Sequence, residues 1–141
     1  GVDNQQHRPY MIHRALLGSI ERFFGMLVEH YAGAFPLWLS PVQVSVLTIS
    51  ERHADYARSL ASALGARGVR VETDLDSEKI GNKIRKSTIR KIPYSVIIGD
   101  KEASENAVML RRRNGENIGP FGVDELISFL LEKINSREVR T

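Results

Sequence analysis

The sequence predicts a three-layer α/β domain, a mixed and mostly parallel sheet of about five strands with helices on both faces. Three observations lead there. Runs rich in β-branched residues alternate with helical stretches of ten or more residues, which implies crossover units and parallel strands. The chain has 141 residues, 42% of them apolar and 26% charged, enough for one globular core. An Asn114-Gly115 pair near the end supplies a hairpin-like turn, so the last strand pair can be antiparallel.

The elements follow in order. Ser19–Tyr31 places apolar residues at 20, 23, 24, 27, 28 and 31, one face of a helix, with Ser19 as N-cap and Gly33 as stop. Phe35-Pro36-Leu37-Trp38-Leu39-Ser40-Pro41 is a connector, because neither proline can sit inside a helix. Val42–Ile49 reads as a strand. Ala54–Ala66 reads as a helix with Tyr56, Ala57, Leu60, Ala61 and Leu64 inward, ended by Gly65 and Gly68. Val69–Thr73 is a short strand, Glu78–Lys91 a helix, Tyr94–Gly99 a buried strand and Ala107–Arg111 another strand. Val123–Ile134 closes the chain as a helix with Leu126, Ile127, Leu130, Leu131 and Ile134 on one face.

Much chemistry is excluded. There is no cysteine, hence no disulfide, thiol nucleophile or cysteine-containing zinc set. No dinucleotide or P-loop glycine motif occurs, and no Gly-x-Ser-x-Gly elbow. His7, His13, His30 and His53 are scattered and form no metal pair at helical spacing. No apolar run approaches the ~20 residues of a membrane span, and the start has no signal-peptide core. The first residue is not methionine, so a piece of a longer, cytoplasmic protein is expected.

The net charge is only +3, but nine of the twenty basic residues fall in Lys79–Lys91 and Arg111–Arg113. No acidic residue interrupts the first stretch. Lys79, Lys83, Lys86 and Arg90 are spaced 4, 3 and 4, so they share one helix face, with Ile80, Ile84 and Ile92 on another stripe toward the sheet and Arg85 between. Such a face suits a phosphate backbone. The plain alternative is a solvated helix surface. Gly99-Asp100-Lys101-Glu102 follows a strand at its carboxyl end, where open α/β sheets bind ligands. Glu102 can accept from base amino groups there, and Arg111, ending the next strand, is expected in the same region. The alternative is a strand-to-helix turn with Glu102 in the first helical turn.

Longer motifs are more specific. Met11-Ile-His-Arg-Ala-Leu-Leu-Gly-Ser-Ile-Glu-Arg-Phe resembles motif 3 of class II aminoacyl-tRNA synthetases in their threonyl form. Phe35-Pro-Leu-Trp-Leu-Ser-Pro-Val-Gln-Val resembles the junction between that family's catalytic and anticodon-binding domains. Glu78-Lys-Ile-Gly-Asn-Lys-Ile-Arg, Lys91-Ile-Pro-Tyr and Gly99-Asp-Lys-Glu are similar to signatures of the latter domain. The resemblance covers essentially the whole chain. It implies the last strand and helix of a class II catalytic domain over residues 1–40 and an anticodon-binding domain over 41–141.

Residue roles follow from the resemblance. Arg22 matches the motif 3 arginine that contacts ATP, with magnesium balancing the phosphates. His13 matches one ligand of the catalytic zinc, whose other ligands would lie upstream. Arg85, Glu102 and Arg111 match positions that read anticodon bases, with Glu78, Lys79, Lys83 and Lys91 in or beside the same signatures. Ser77 stands where an asparagine is common and Lys91 where an arginine is common; a lysine there keeps the charge but loses the planar fork. The implied function is recognition of the tRNA(Thr) anticodon stem-loop within a ligase that joins threonine to tRNA through threonyl adenylate. That enzyme would be a homodimer through its catalytic domain. The piece alone is expected to be inactive, free of zinc and ATP, and monomeric, with Phe23, Phe24 and Leu27 exposed. The alternative is a stand-alone anticodon-like module that binds nucleic acid without ligating anything.

Overall fold

The structure is a computed structural model that describes residues 2–139. It contains α1 (Ile20–His30), β1 (Val44–Thr48), α2 (Ala54–Ala66), β2 (Val71–Asp74), α3 (Ile80–Ile89), β3 (Tyr94–Ile98), α4 (Asp100–Glu105), β4 (Ala107–Arg112), β5 (Asn117–Gly122) and α5 (Val123–Asn135). The strands form one sheet in the order β2-β1-β3-β4-β5. β1 runs parallel to β2 and β3, while β4 pairs antiparallel with β3 and β5. Two parallel and two antiparallel pairings thus make the mixed sheet.

Topology decides which face each helix covers. The chain passes from β1 outward to β2 through α2, then back across β1 to β3 through α3. Right-handed crossovers in opposite directions put the two helices on opposite faces. On one face Val44, Val46, Tyr94, Val96, Ile98, Val108 and Leu110 pack with Ala57, Leu60 and Leu64 of α2 and with Leu126, Ile127 and Leu130 of α5. On the other, Ser87 of α3 meets Ser95 of β3, Oγ to Oγ 2.8 Å. β4 and β5 carry no long helix on that second side: Asn117 and Gly119 are exposed, and Met109 and Arg111 are only half-buried.

Helix α1 begins as the sequence indicates. Ser19 Oγ accepts the Arg22 amide N–H at 3.2 Å. Its end turns at Ala32 and Gly33, both at positive φ, with the Gly33 N–H returning to the Val28 carbonyl at 2.9 Å. No residue of α1 is fully buried; Phe23 and Leu27 are half-covered and Phe24 is 58% exposed. Among the described residues no helix is long and apolar enough to cross a membrane.

One orientation differs from the expectation. Helix α3 turns Lys83 and Ser87 fully inward, while Ile80 and Ile84 are only half-buried and Ile89 is 65% exposed. Ile92 is buried, but beyond the end of the helix.

Candidate nucleic-acid interface

The α3 side of the sheet carries a polar row in direct register across all five strands. Glu72 pairs with Ser45, Ser45 with Ser95, Ser95 with Arg111, and Arg111 with Asn117. Register partners point to the same face, so Arg111 emerges on the side to which Ser95 turns. Helix α3 covers the Ser95 end. Arg111 and Asn117 lie beyond it, on open sheet.

Arg111 is held rather than loose. Its Nη1 donates to Asn117 Oδ1 at 3.4 Å. The Asn114-Gly115 turn folds beneath its guanidinium: a Cβ at Gly115 would lie 3.3 Å from Arg111 Nη2, and Gly115 has φ +96°. A side chain there would press on the guanidinium and strain the turn.

Glu102 is the third residue of α4, and its Oε2 accepts the Gly99 N–H at 3.0 Å. The helical-turn alternative is therefore realised, with a second carboxylate oxygen still available. A Cβ at Gly99 would sit 2.8 Å from Cδ1 of the exposed Ile49, whose side chain would have to swing aside. The start of α4 is tied to the loop after β1: Asp100 meets Arg52 at 2.5 Å and the buried His53 at 3.2 Å. Across this end of the sheet lies the Tyr56 hydroxyl, whose ionisation burial pushes up, with the Glu102 charge adding to the effect. Glu102 also lines a shallow recess of about 110 Å³ with Lys101, Glu105, Ala107, Met109 and Pro120.

Met109 shares the Arg111 side of β4, two residues away. Glu102 and Arg111 therefore border the same open face. They do not meet: Arg111 stands opposite Ser95 near the start of β3, and Glu102 follows its end. Three strand steps separate those levels, roughly 10 Å. Arg111 does not reach the Gly99–Glu102 turn as expected from sequence, because β4 runs antiparallel to β3.

The basic helix is a different surface from the one its spacing suggests. Lys83 is 1% exposed. Its Nζ donates to the Thr48 carbonyl at 3.0 Å, Thr48 Oγ1 at 3.3 Å and the Asp74 carbonyl at 3.0 Å, with Asp74 Oδ1 at 3.5 Å. It closes the carboxyl ends of β1 and β2 and offers no ammonium to solvent. Lys86 pairs with Glu78 at 2.5 Å and Arg90 with Glu72 at 2.5 Å. The hydrogen bond that Lys86 donates to the Glu78 carboxylate holds its pKa above the ordinary lysine range. Of the predicted stripe only Lys79 is left without a partner among the described residues, joined by the exposed Arg85 beside Ile89. Lys79 also edges a cleft of about 500 Å³ with Ser50, Glu51, Asp76 and Ser77.

Three further basic residues are placed elsewhere. Lys91 Nζ donates to the Ala32 carbonyl at the end of α1. Arg112 pairs with Glu116 at 2.8 Å, and Arg113 Nη1 donates to the Phe35 carbonyl at 3.3 Å. Lys91, read from sequence as part of the anticodon surface, is engaged at the connector.

The upstream site residues are exposed. Arg22 and His13 have no side-chain partner among the described residues. No group of three His, Cys, Asp or Glu side chains able to hold a metal occurs among them. A tetrahedral zinc site needs at least three protein ligands, so these residues do not build one by themselves.

Residues 43–133 match the anticodon binding domain family. The chain belongs to that family. This anticodon-binding domain and its flanks are 49% identical over 138 residues to the threonine–tRNA ligase of Acetivibrio thermocellus, covering 98% of this chain and 22% of that protein. They are 50% identical over 138 residues to the threonine–tRNA ligase of Clostridioides difficile, with the same two coverages. The RNA binding domain of threonyl-tRNA synthetase from Cryptosporidium parvum Iowa II shares the fold, with a TM-score of 0.77 and 38% identity over 86% of this chain and 30% of that one. The chain thus spans about a fifth of the length of the curated relatives it matches. The likeness to threonyl-tRNA synthetases carried by the motifs extends over nearly the whole sequence.

Met109, Asn117 and Arg113 were not singled out from sequence for the places they occupy. Only the Asn114-Gly115 turn signals a hairpin that would bring 111 and 117 together.

Proposed function

We propose that this chain reads the anticodon stem-loop of tRNA(Thr) as the C-terminal part of a threonine–tRNA ligase. One observation carries the reading: an acceptor, Glu102, and a forked donor, Arg111, border one open sheet face without a covering helix. Bases splayed from a single-stranded loop expose amino donors and ring acceptors together. A carboxylate accepts from the former and a guanidinium donates in pairs to the latter. Met109, beside Glu102 and on the Arg111 side of β4, offers apolar floor. Lys79 and Arg85, at the rim, attract the phosphate backbone without regard to sequence. Glu78, paired with Lys86, orients that rim.

In the whole ligase, threonine would be activated with ATP and Mg²⁺ and then esterified to tRNA. From this chain Arg22 would contribute a guanidinium free to meet ATP, and His13 one zinc ligand beside others from outside the described residues. Catalysis would thus belong to the longer protein, a homodimer through its catalytic domain and cytoplasmic, and not to this piece.

Binding of the 141-residue chain to two anticodon stem-loops at several salt concentrations tests the reading. One carries a threonine anticodon and the other a change at its central base. A preference that survives raised salt supports it. Equal affinity for both, falling steeply with salt, would reduce the surface to a general polyanion site and favour a module that binds nucleic acid without reading it.

A further inference from the structure

Three basic side chains from three separate elements converge on the backbone of the connector between α1 and β1. Arg70, just before β2, donates from Nε to the Ser40 carbonyl and from Nη2 to the Trp38 carbonyl, both at 2.9 Å. Arg113, just after β4, reaches the Phe35 carbonyl at 3.3 Å and the Lys91 carbonyl at 3.1 Å. Lys91, just after α3, reaches the Ala32 carbonyl. The buried Gln43 adds its amide to the Leu37 carbonyl at 2.9 Å. Carbonyls 32, 35, 37, 38 and 40 are therefore all taken by side chains of the sheet domain. Leu37 is buried between them, and Phe35 packs on Phe24 and Tyr31. This is a fastened segment, not a flexible linker.

The backbone at Lys91 makes the arrangement specific. Lys91 has φ +57° and ends α3, with the Ile92 N–H returning to the Ser87 carbonyl at 3.2 Å. Glycine is the usual residue at such a helix end. A lysine is strained there, and strain of this kind persists where the surroundings make use of it. Its ammonium lies at the carboxyl end of α1, where the helix dipole favours a cation. Two helix ends are thereby joined through one side chain.

We propose that Lys91, Arg113 and Arg70 form an interdomain clasp that fixes the direction of α1, and with it Arg22, relative to the sheet face bearing Arg111. Both elements that carry the cations of that surface, β4 on the face and α3 at its rim, lead into the clasp. Lys91 is then a positioning residue and does not contact RNA. The clasp itself is independent of the tRNA reading; only its consequence for a bound anticodon rests on it.

Amide hydrogen exchange of the 141-residue chain tests this, comparing the unaltered protein with Lys91→Gly, Lys91→Arg and Arg113→Gln. Glycine suits the helix end, so Lys91→Gly keeps the fold while removing the ammonium. The expected result is exchange at residues 31–40 faster by about tenfold or more, with β1, β3 and α2 unchanged. Arg113→Gln should act on the same segment, and Lys91→Arg should restore protection. Unchanged exchange at 31–40 would overturn the proposal, as would an equal acceleration throughout the sheet. Weaker stem-loop binding in Lys91→Gly, with a salt slope lower by about one and residues 31–40 still protected, would also overturn it and return Lys91 to the RNA surface. If the unaltered chain binds no stem-loop, the tRNA reading fails while the exchange result still decides the clasp.

Discussion

The stretch 79–91 carries six basic residues and the triplet 111–113 carries three, and the two regions spend their charge differently. On α3 the periodicity looks like a polyanion-binding face, yet Lys83 is buried against main-chain carbonyls and Lys86 and Arg90 are paired with carboxylates from outside the stretch. On β4 the triplet looks like a solvated strand end, yet each arginine has a separate position: Arg111 on the open face, Arg112 beside Glu116, Arg113 at the connector. A run free of acidic residues in sequence need not be free of them in space. The alternation of a strand, by contrast, sends neighbouring side chains apart and leaves one of them on the open face.

Breaking the comparison begins with its largest effect. Lys83→Met keeps the aliphatic bulk but takes the ammonium donor from the Thr48 and Asp74 carbonyls, leaving Asp74 only the Thr48 hydroxyl at 3.4 Å, and each buried group left unsatisfied costs about 1–3 kcal/mol. Chemical denaturation should show a loss of about 2–4 kcal/mol. A loss under about 1 kcal/mol would mean the ammonium is not structural. Arg111→Ala should leave stability within about 0.5 kcal/mol, as surface changes do. It should lower discrimination between stem-loops by about 1–3 kcal/mol. An equal loss on both stem-loops would limit Arg111 to the backbone.

Glu102→Gln sharpens the contrast at the other border of the face. Glutamine still caps the Gly99 N–H, so titration curves should show a fold of ordinary stability with base preference reduced by about 1–2 kcal/mol, at the lower end of a base-edge contact. Unaltered preference would confine Glu102 to its helix. The smallest effects belong to the rim of α3. Arg85→Ala should lower the salt slope of binding by about one unit, and Lys86→Ala by less, because Glu78 already neutralises it. Equal slopes for the two variants would indicate that Glu78 releases Lys86 when RNA binds.

Much of this fold could be read from the residues. Ser19 capped a helix, Gly68 ended one, and the β-branched runs near 44 and 94 became central strands. β5 was only implied by its turn, since Asn117-Ile-Gly-Pro-Phe-Gly has little β-propensity and is held by pairing with β4. α4 is too short for periodicity and is made by the Glu102 cap. Of the candidate site, the motifs singled out Glu102, Arg85 and Arg111, and the structure places Glu102 in the first turn of α4, Arg111 beside Asn117 and Arg85 exposed on α3. Lys83 was misplaced because α3 turns it, with Ser87, toward the sheet, where strand-end carbonyls satisfy its buried ammonium. No spacing rule shows which carbonyl it will find.

The central claim is that the open face of β4, not the basic helix, reads sequence. The most direct test is the affinity ratio for the two stem-loops, measured for the chain, Arg111→Ala and Arg85→Ala across a range of salt. The account predicts a ratio insensitive to salt in the chain and in Arg85→Ala, and lower by about tenfold in Arg111→Ala. A ratio that survives Arg111→Ala but collapses in Arg85→Ala would contradict it and move base reading to α3.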